Sequence, residues 1–220
     1  MSIALSPNHY MFQLMSAKIN FASDTMIAIL MNDSFEFDID THATLANVTA
    51  NQIATAYGYT QDSHTFTTPA LTEDDANDKA SYSCDNLTVT ASGGNIGPVG
   101  GYMIVDTTTA DNTVVANVDF NTLFDSVTDG STAGASVFTS AGSSWTIDEL
   151  IGKKLVISTG ADIGYYLITD NTATTITVAE TFTGTETTLV AGIQTIITYT
   201  ISDGSSIQLQ NVAVSTQNAG

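Results

Sequence analysis

Apolar and polar residues in this 220-residue chain alternate over short segments, which is the pattern of β-strands rather than of helices. The clearest segment is 25–31, a continuous apolar run with Asp24 before it and Asn32 after it. A short apolar run between polar residues is typical of a strand that is buried on both faces. The sequence therefore predicts a core strand at 25–31.

Further strand-like segments occur along the whole chain and are separated by clusters of turn-forming residues. They lie at 81–90, 101–106, 113–120, 154–158, 165–170, 175–179 and 194–199. Asp170 and Asn171 are predicted to form one of the turns. This spacing predicts an all-β fold, either a β-sandwich or a jelly-roll-like barrel.

Two short helical segments are predicted from capping patterns. Thr49 and Gln52 have the spacing of a capping box, which predicts a helix over about 49–57. Thr146 and Glu149 repeat that spacing, and Gly152 is placed to end a single helical turn.

Residues 129–135 are small and polar, which is typical of a flexible linker. Beyond them the composition changes, so a second structural unit is predicted to begin near residue 131. Trp145 is the single tryptophan of the chain and is predicted to anchor the core of this second unit.

Composition restricts the function more than any motif does. The chain contains no arginine and only four lysines against 23 acidic residues, which gives a net charge of −19. Binding to nucleic acid or to anionic membranes depends on clustered basic residues, so neither partner is expected. No apolar run approaches the roughly 20 residues of a membrane helix, and no signal peptide is recognisable. We expect synthesis and folding in the cytoplasm.

Two acidic segments could in principle hold a cation. Asp38, Asp40 and His42 alternate, so in an extended segment they share one face. Asp74, Asp75 and Asp78 resemble part of a calcium loop, but the glycine and glutamate of that motif are missing. A solvated polar surface is the preferred interpretation of both segments, so no metal site and no cofactor are predicted.

Enzymatic chemistry is not predicted either, because the usual catalytic arrangements are missing from the sequence. There is no Gly-x-Ser-x-Gly motif, and only His9, His42 and His64 could act as a base. Cys84 is the only cysteine and is interpreted as a structural thiol.

Several segments, in the right order, resemble a family of small virion structural proteins of tailed bacteriophages. The matching segments are 51–60, 71–80, 89–98, 102–105 and 199–209. The chain departs from the family at Val99-Gly100-Gly101, where an aromatic or basic residue is usual. Residues 137–198 take the place of a short connection and are similar to a small β module found in phage structural proteins.

The resemblance implies an N-terminal arm at 1–20, a host β-domain formed by 21–130 with 199–220, and an inserted small β-domain at 131–198. It also implies a non-enzymatic virion protein, preferably one that decorates or cements the capsid by binding the major capsid protein or other virion subunits. A homo-oligomer is expected. A tail fibre, tail adaptor or other structural component of the tail is the first alternative, and a receptor- or glycan-binding module is the second.

The N-terminal arm is the predicted partner-binding segment. It concentrates aromatic and methionine side chains, which are enriched at protein interfaces. The residues concerned are Tyr10, Met11, Phe12, Leu14 and Met15. A first core strand or helix is an equally good interpretation of the same residues.

Overall fold

The computed structural model describes residues 4–76, 79–210 and 212–217. Its helices and first strands are β1 Ala4–Leu5, α1 Asn8–Met15, β2 Met26–Asn32, α2 Leu45–Val48, a 3₁₀ turn at Thr49–Asn51, β3 His64–Thr65, β4 Ala70–Asp74, β5 Lys79–Ser83, β6 Leu87–Thr90, β7 Ile96–Asp106 and β8 Thr113–Asp119. The remaining strands are β9 Thr122–Ala133, β10 Val137–Ser140, β11 Lys154–Ile157, β12 Gly164–Asn171, β13 Thr175–Val178, β14 Thr185–Thr195, β15 Tyr199–Ile201, β16 Ser206–Leu209 and β17 Ala213–Gln217. The predicted all-β class is confirmed. Every helix among these residues falls short of the length and apolar character that a membrane span requires.

The chain forms two compact units. The first, called the sheet unit here, contains Ala4–Phe35, Asp40–Asp119 and the chain from Thr198 onwards. The second, called the barrel unit, contains Glu36–Ile39 and Phe120–Ile197 in its described part.

The sheet unit is built around an antiparallel sheet with strand order β1-β8-β7-β2-β3. Each residue of β2 from Met26 to Met31 is at most 2% exposed, so the predicted core strand is confirmed. Two smaller sheets, β16-β6 and β17-β5-β4, complete the unit.

Strand β7 has two successive partners along the edge that faces away from β2. Strand β8 pairs with it as far as Gly101, which lies opposite Asp119. Strand β15 then pairs with the next stretch, where Val99 lies opposite Tyr199. The chain thus leaves this edge of β7 at the end of β8. It returns to the same edge as β15, two residues closer to the N-terminal end of β7.

The barrel unit is a closed antiparallel barrel with strand order β10-β13-β12-β11-β14-β9. Its interior is filled by aliphatic and aromatic side chains, among them Phe138, Leu155 and Ile193, each fully buried. Trp145 belongs to this core and is 7% exposed, and its Nε1 donates to Asp125 Oδ2 at 2.8 Å. The prediction that Trp145 anchors this unit is confirmed.

The predicted linker at 129–135 is wrong. Strand β9 continues through residue 133 and pairs with both β10 and β14, so the barrel unit begins at Phe120 and not near 131. Gly130 is small for a packing reason, since a Cβ there would lie 2.3 Å from the Phe138 ring. Close approach to an aromatic ring, rather than flexibility, explains this glycine.

The predicted helix at 49–57 is also wrong. The helix is α2, which begins after Thr44, and the Thr44 backbone N–H donates to Asn47 Oδ1 at 2.9 Å. The Thr49 hydroxyl donates to the carbonyl of Leu45 instead of capping a new helix.

The second capping pattern gives a turn and no helix. The Thr146 N–H donates to Glu149 Oε2 at 3.2 Å, which is one half of the predicted capping box. Gly152 has φ +81°, as its predicted role at the end of a turn requires.

Three strand boundaries also differ from the sequence pattern. Asp170 and Asn171 lie inside β12, and the chain turns after them. Asn171 is buried, and its Oδ1 accepts a hydrogen bond from the Leu150 N–H at 2.9 Å. Its polar side chain therefore makes a buried hydrogen bond and does not form a turn. The predicted strand at 81–90 is divided between β5 and β6, and the one at 194–199 is divided between β14 and β15.

Candidate functional site

The predicted partner-binding segment forms helix α1, and its side chains point in two directions. Tyr10 is 4% exposed, and Leu14, one turn later, is half-buried. Met11, Phe12 and Met15 are exposed by 49%, 65% and 85%. A helical period of 3.6 residues explains this division, because positions four apart share a face. Tyr10 thus belongs to the core, as the alternative interpretation of the arm expected, whereas partner binding by the exposed residues stays a prediction.

The inward side of α1 lies against a small apolar cavity of about 210 Å³. Tyr10 contacts the Phe21 ring edge to face, and Phe21 in turn packs against Tyr82. Burial raises the pKa of the Tyr10 hydroxyl. The cavity is lined by Tyr10, Leu14, Phe21, Leu71, Ala80, Ser81 and Tyr82.

Polar contacts hold α1 in place on the sheet unit. The His9 Nε2 lies 2.7 Å from Asp111 Oδ2, and Gln13 Nε2 donates to the same oxygen at 3.1 Å. At the start of the helix, Asn8 Nδ2 donates to Asp40 Oδ1 at 2.6 Å. Sequence reasoning missed the Asp111 contact, because it joins residues about one hundred positions apart. The only local signal was the spacing of His9 and Gln13.

The charge state of Asp111 favours this contact. Burial alone would raise the pKa of its carboxyl, but hydrogen bonds from Thr113 and His9 hold the pKa below its usual range. Asp111 is therefore ionised at neutral pH and is a strong acceptor for the donors of α1.

The exposed side of α1 forms a continuous apolar surface, which we call the α1 face and define as Met11, Phe12 and Met15. The helix itself contains no charged residue apart from the titratable His9, and the first acidic residue of the chain is Asp24. An uncharged, aromatic and methionine-rich surface on a chain of net charge −19 has the composition of a protein interface core.

Two of the candidate cation ligands of the sequence, Asp40 and His42, have other contacts. Asp40 bonds to Asn8, and the His42 ring packs against Phe35 with centroids 5.0 Å apart. Asp75 is exposed, whereas Asp78 and the side chain of Asp74 lie outside the described residues. Across the described part of the chain, no three metal-ligating side chains of His, Cys, Asp or Glu are grouped together.

The candidate bases are also engaged in other contacts. His64 stacks on Tyr59 with ring centroids 4.8 Å apart, and burial lowers the pKa of its imidazole. His9 is held by Asp111 and Gln13. Among the described residues, neither His9 nor His64 hydrogen-bonds to a serine or cysteine side chain, so neither is paired with a nucleophile.

Comparison of the chain with protein-family models, with curated proteins and with solved structures found no match.

Proposed function

We propose that this chain is a non-enzymatic structural protein of a tailed-phage virion that decorates the outer surface of the capsid. The single observation that carries the proposal is the α1 face. Phe12 and Met15 are exposed although the helix that bears them is anchored by Tyr10, Asp111 and Asp40. A fixed helix with an exposed apolar side is suited to docking on another subunit, because little conformational freedom is lost on binding.

We further propose that the sheet unit is a sandwich-like or jelly-roll-like host and that the barrel unit is a domain inserted into it. Two contacts support this arrangement. The host side is supported by β8 and β15, which follow each other along the same edge of β7. The insert side is supported by Thr122 and Thr195, which lie opposite each other where the barrel begins and ends. Insertions between neighbouring chain ends are well tolerated.

A double variant of the α1 face tests the function. We expect Phe12→Ser with Met15→Ser to reduce co-sedimentation with capsids that lack this protein by at least tenfold, since truncated interface hot spots cost about 2 kcal/mol or more. The melting temperature should stay within about 1 °C of the wild type, because both side chains are exposed.

Ile147→Ser is the matched control, since Ile147 is an equally exposed apolar residue at 67% but lies in the barrel unit. It should bind capsids like the wild type. A wild-type chain that fails to sediment with capsids, or a double variant that binds as well as the wild type, would contradict the proposal. Copy number per particle separates capsid decoration from a tail component, because only the former scales with the capsid.

A further inference from the structure

Two carboxyl groups lie on one face of the central sheet, at the end where β2 begins and β7 ends. Asp106 is the last residue of β7 and lies opposite Met26, the first residue of β2. The pairing continues past the strands, because Thr107 N donates to the carbonyl of Thr25 at 3.0 Å. Asp24 is thus the diagonal neighbour of Asp106, and side chains in this relation point to the same side of a sheet and can interact.

The Asp106 carboxyl is completely buried, at 0% exposure, and only one of its oxygens is satisfied. Oδ1 accepts from the Thr108 N–H at 2.8 Å. No donor among the described residues reaches Oδ2. A buried oxygen without a donor is unfavourable, and this one faces Asp24.

Asp24 is half-buried, so it connects the buried Asp106 with solvent. Its Oδ2 accepts from the Asn20 N–H at 2.6 Å, and its Oδ1 accepts from the Ser23 hydroxyl at 3.2 Å. These contacts fix the Asp24 carboxylate, while each oxygen keeps a further lone pair for another partner.

The electrostatics of the pair agree with this geometry. Burial, followed by the neighbouring Asp24 carboxyl, raises the pKa of Asp106 to about 6. Tyr82 of β5 also interacts electrostatically with Asp106. Burial raises the pKa of the Tyr82 hydroxyl to about 12, so this group is neutral at physiological pH. Within the described residues no lysine or histidine forms an ion pair with Asp24 or Asp106.

We propose that Asp24 and Asp106 bind a divalent cation of the calcium type, with Asp106 Oδ2 as the buried ligand and Asp24 as the ligand at the entrance. Calcium ions take carboxylate oxygens in flexible geometry and complete their coordination with water and backbone oxygens. A cation here supplies the positive charge that the chain lacks at this position. The site is separate from the α1 face and does not depend on the proposed function.

Thermal unfolding of the full chain at pH 7.5 tests the site, with 5 mM CaCl₂ compared with 5 mM EDTA at matched ionic strength. A site with a dissociation constant in the range of about 0.1–1 mM should raise the melting temperature by roughly 2–9 °C in calcium, with the larger shift for the tighter site. Asp106→Asn, which keeps the shape and removes the charge, should abolish this rise. Asp170→Asn is the matched control, since Asp170 is an exposed carboxyl outside both candidate cation segments of the sequence, and this variant should keep the rise.

A second variant keeps the proposal testable. If Asp106→Asn does not fold, Asp24→Asn at the half-buried position takes its place and should also abolish the rise. The proposal is overturned if calcium has no effect on the wild type, or if the Asn variants respond as the wild type does.

Discussion

At the scale of single residues, Tyr59 connects the central strand to the irregular segment that follows α2. Its hydroxyl accepts from the Leu30 N–H at 3.0 Å and donates to Gln52 Oε1 at 2.8 Å. Gln52 Nε2 in turn donates to Asp62 Oδ1 at 2.9 Å. Tyr59 is 1% exposed, and burial raises the pKa of its hydroxyl. The Tyr59 hydroxyl therefore gives the Leu30 N–H of β2 a hydrogen-bond acceptor and holds the buried side-chain amide of Gln52 in place.

We expect Tyr59→Phe to reduce the free energy of unfolding by about 1–3 kcal/mol, because the Leu30 N–H and the Gln52 amide would lose a buried partner. Denaturant unfolding at neutral pH measures the change. Tyr57→Phe is the control, since Tyr57 is 51% exposed and its loss should stay within about 0.5 kcal/mol. Equal stability of Tyr59→Phe and the wild type would show that water replaces the hydroxyl.

Gln52 illustrates what sequence reasoning at this scale could not reach. Its spacing from Thr49 predicted a local cap, but the side chain is buried and bonds to residues seven and ten positions away. A local pattern cannot distinguish these outcomes. The same holds for Asp24 and Asp106, which are brought together only by the β2–β7 register.

At the scale of elements, α1 depends on its anchors because it has little helical stability of its own. It has eight residues, its N-cap is Pro7 without a side-chain cap, and its first turn contains no acidic residue. Isolated helices of this length are marginal in water. The contacts of Asp111 with His9 and Gln13 therefore contribute directly to the order of the α1 face.

We expect Asp111→Ala to increase the amide hydrogen-exchange rates of α1 at least about fivefold, since a loss of roughly 1 kcal/mol of local stability has that effect. Exchange in β2 should not change. Asp75→Ala, at an exposed carboxyl, serves as the control. Unchanged exchange in α1 would mean that Tyr10 and its apolar contacts alone hold the helix.

Strands were predicted better than helices, and particular residues explain why. The run at 25–31 is apolar at nearly every position, so a buried strand follows from the residues themselves. The sequence offers two possible helix starts, because Thr44 and Thr49 are each followed three positions later by an amide residue, Asn47 and Gln52. Burial of Leu45 and Val48 selects the earlier one, and that is a property of the folded core.

At the scale of the whole molecule, the boundary of the barrel unit decides how the chain can be divided. Residues 120–130 were predicted to belong to the first domain, yet β9 runs through them and Val127 lies in the barrel core. Small residues such as Gly130 suggested a linker. The close contact with the Phe138 ring, which explains why a glycine stands there, could not be predicted from the local sequence.

We expect deletion of 121–197 to leave the sheet unit folded, because β8 and β15 then remain beside β7 with a short connection. The comparison is deletion of 132–198, which leaves part of β9 and its apolar Val127 without the barrel. Circular dichroism and melting should show a cooperative β-protein for the first variant and a less soluble product for the second. An unfolded first variant would show that the sheet unit requires the barrel unit.

The contact between Thr122 and Thr195 also bears on the order of folding. Without it, bringing Tyr199 to its place opposite Val99 closes a loop of about 80 residues after β8. A barrel that has already formed reduces this to a connection of a few residues. Since each halving of loop length saves roughly 0.6 kcal/mol of closure entropy, the saving is about 2 kcal/mol. We therefore expect the barrel unit to form first, and β15 and the strands that follow it to be added to the sheet unit afterwards.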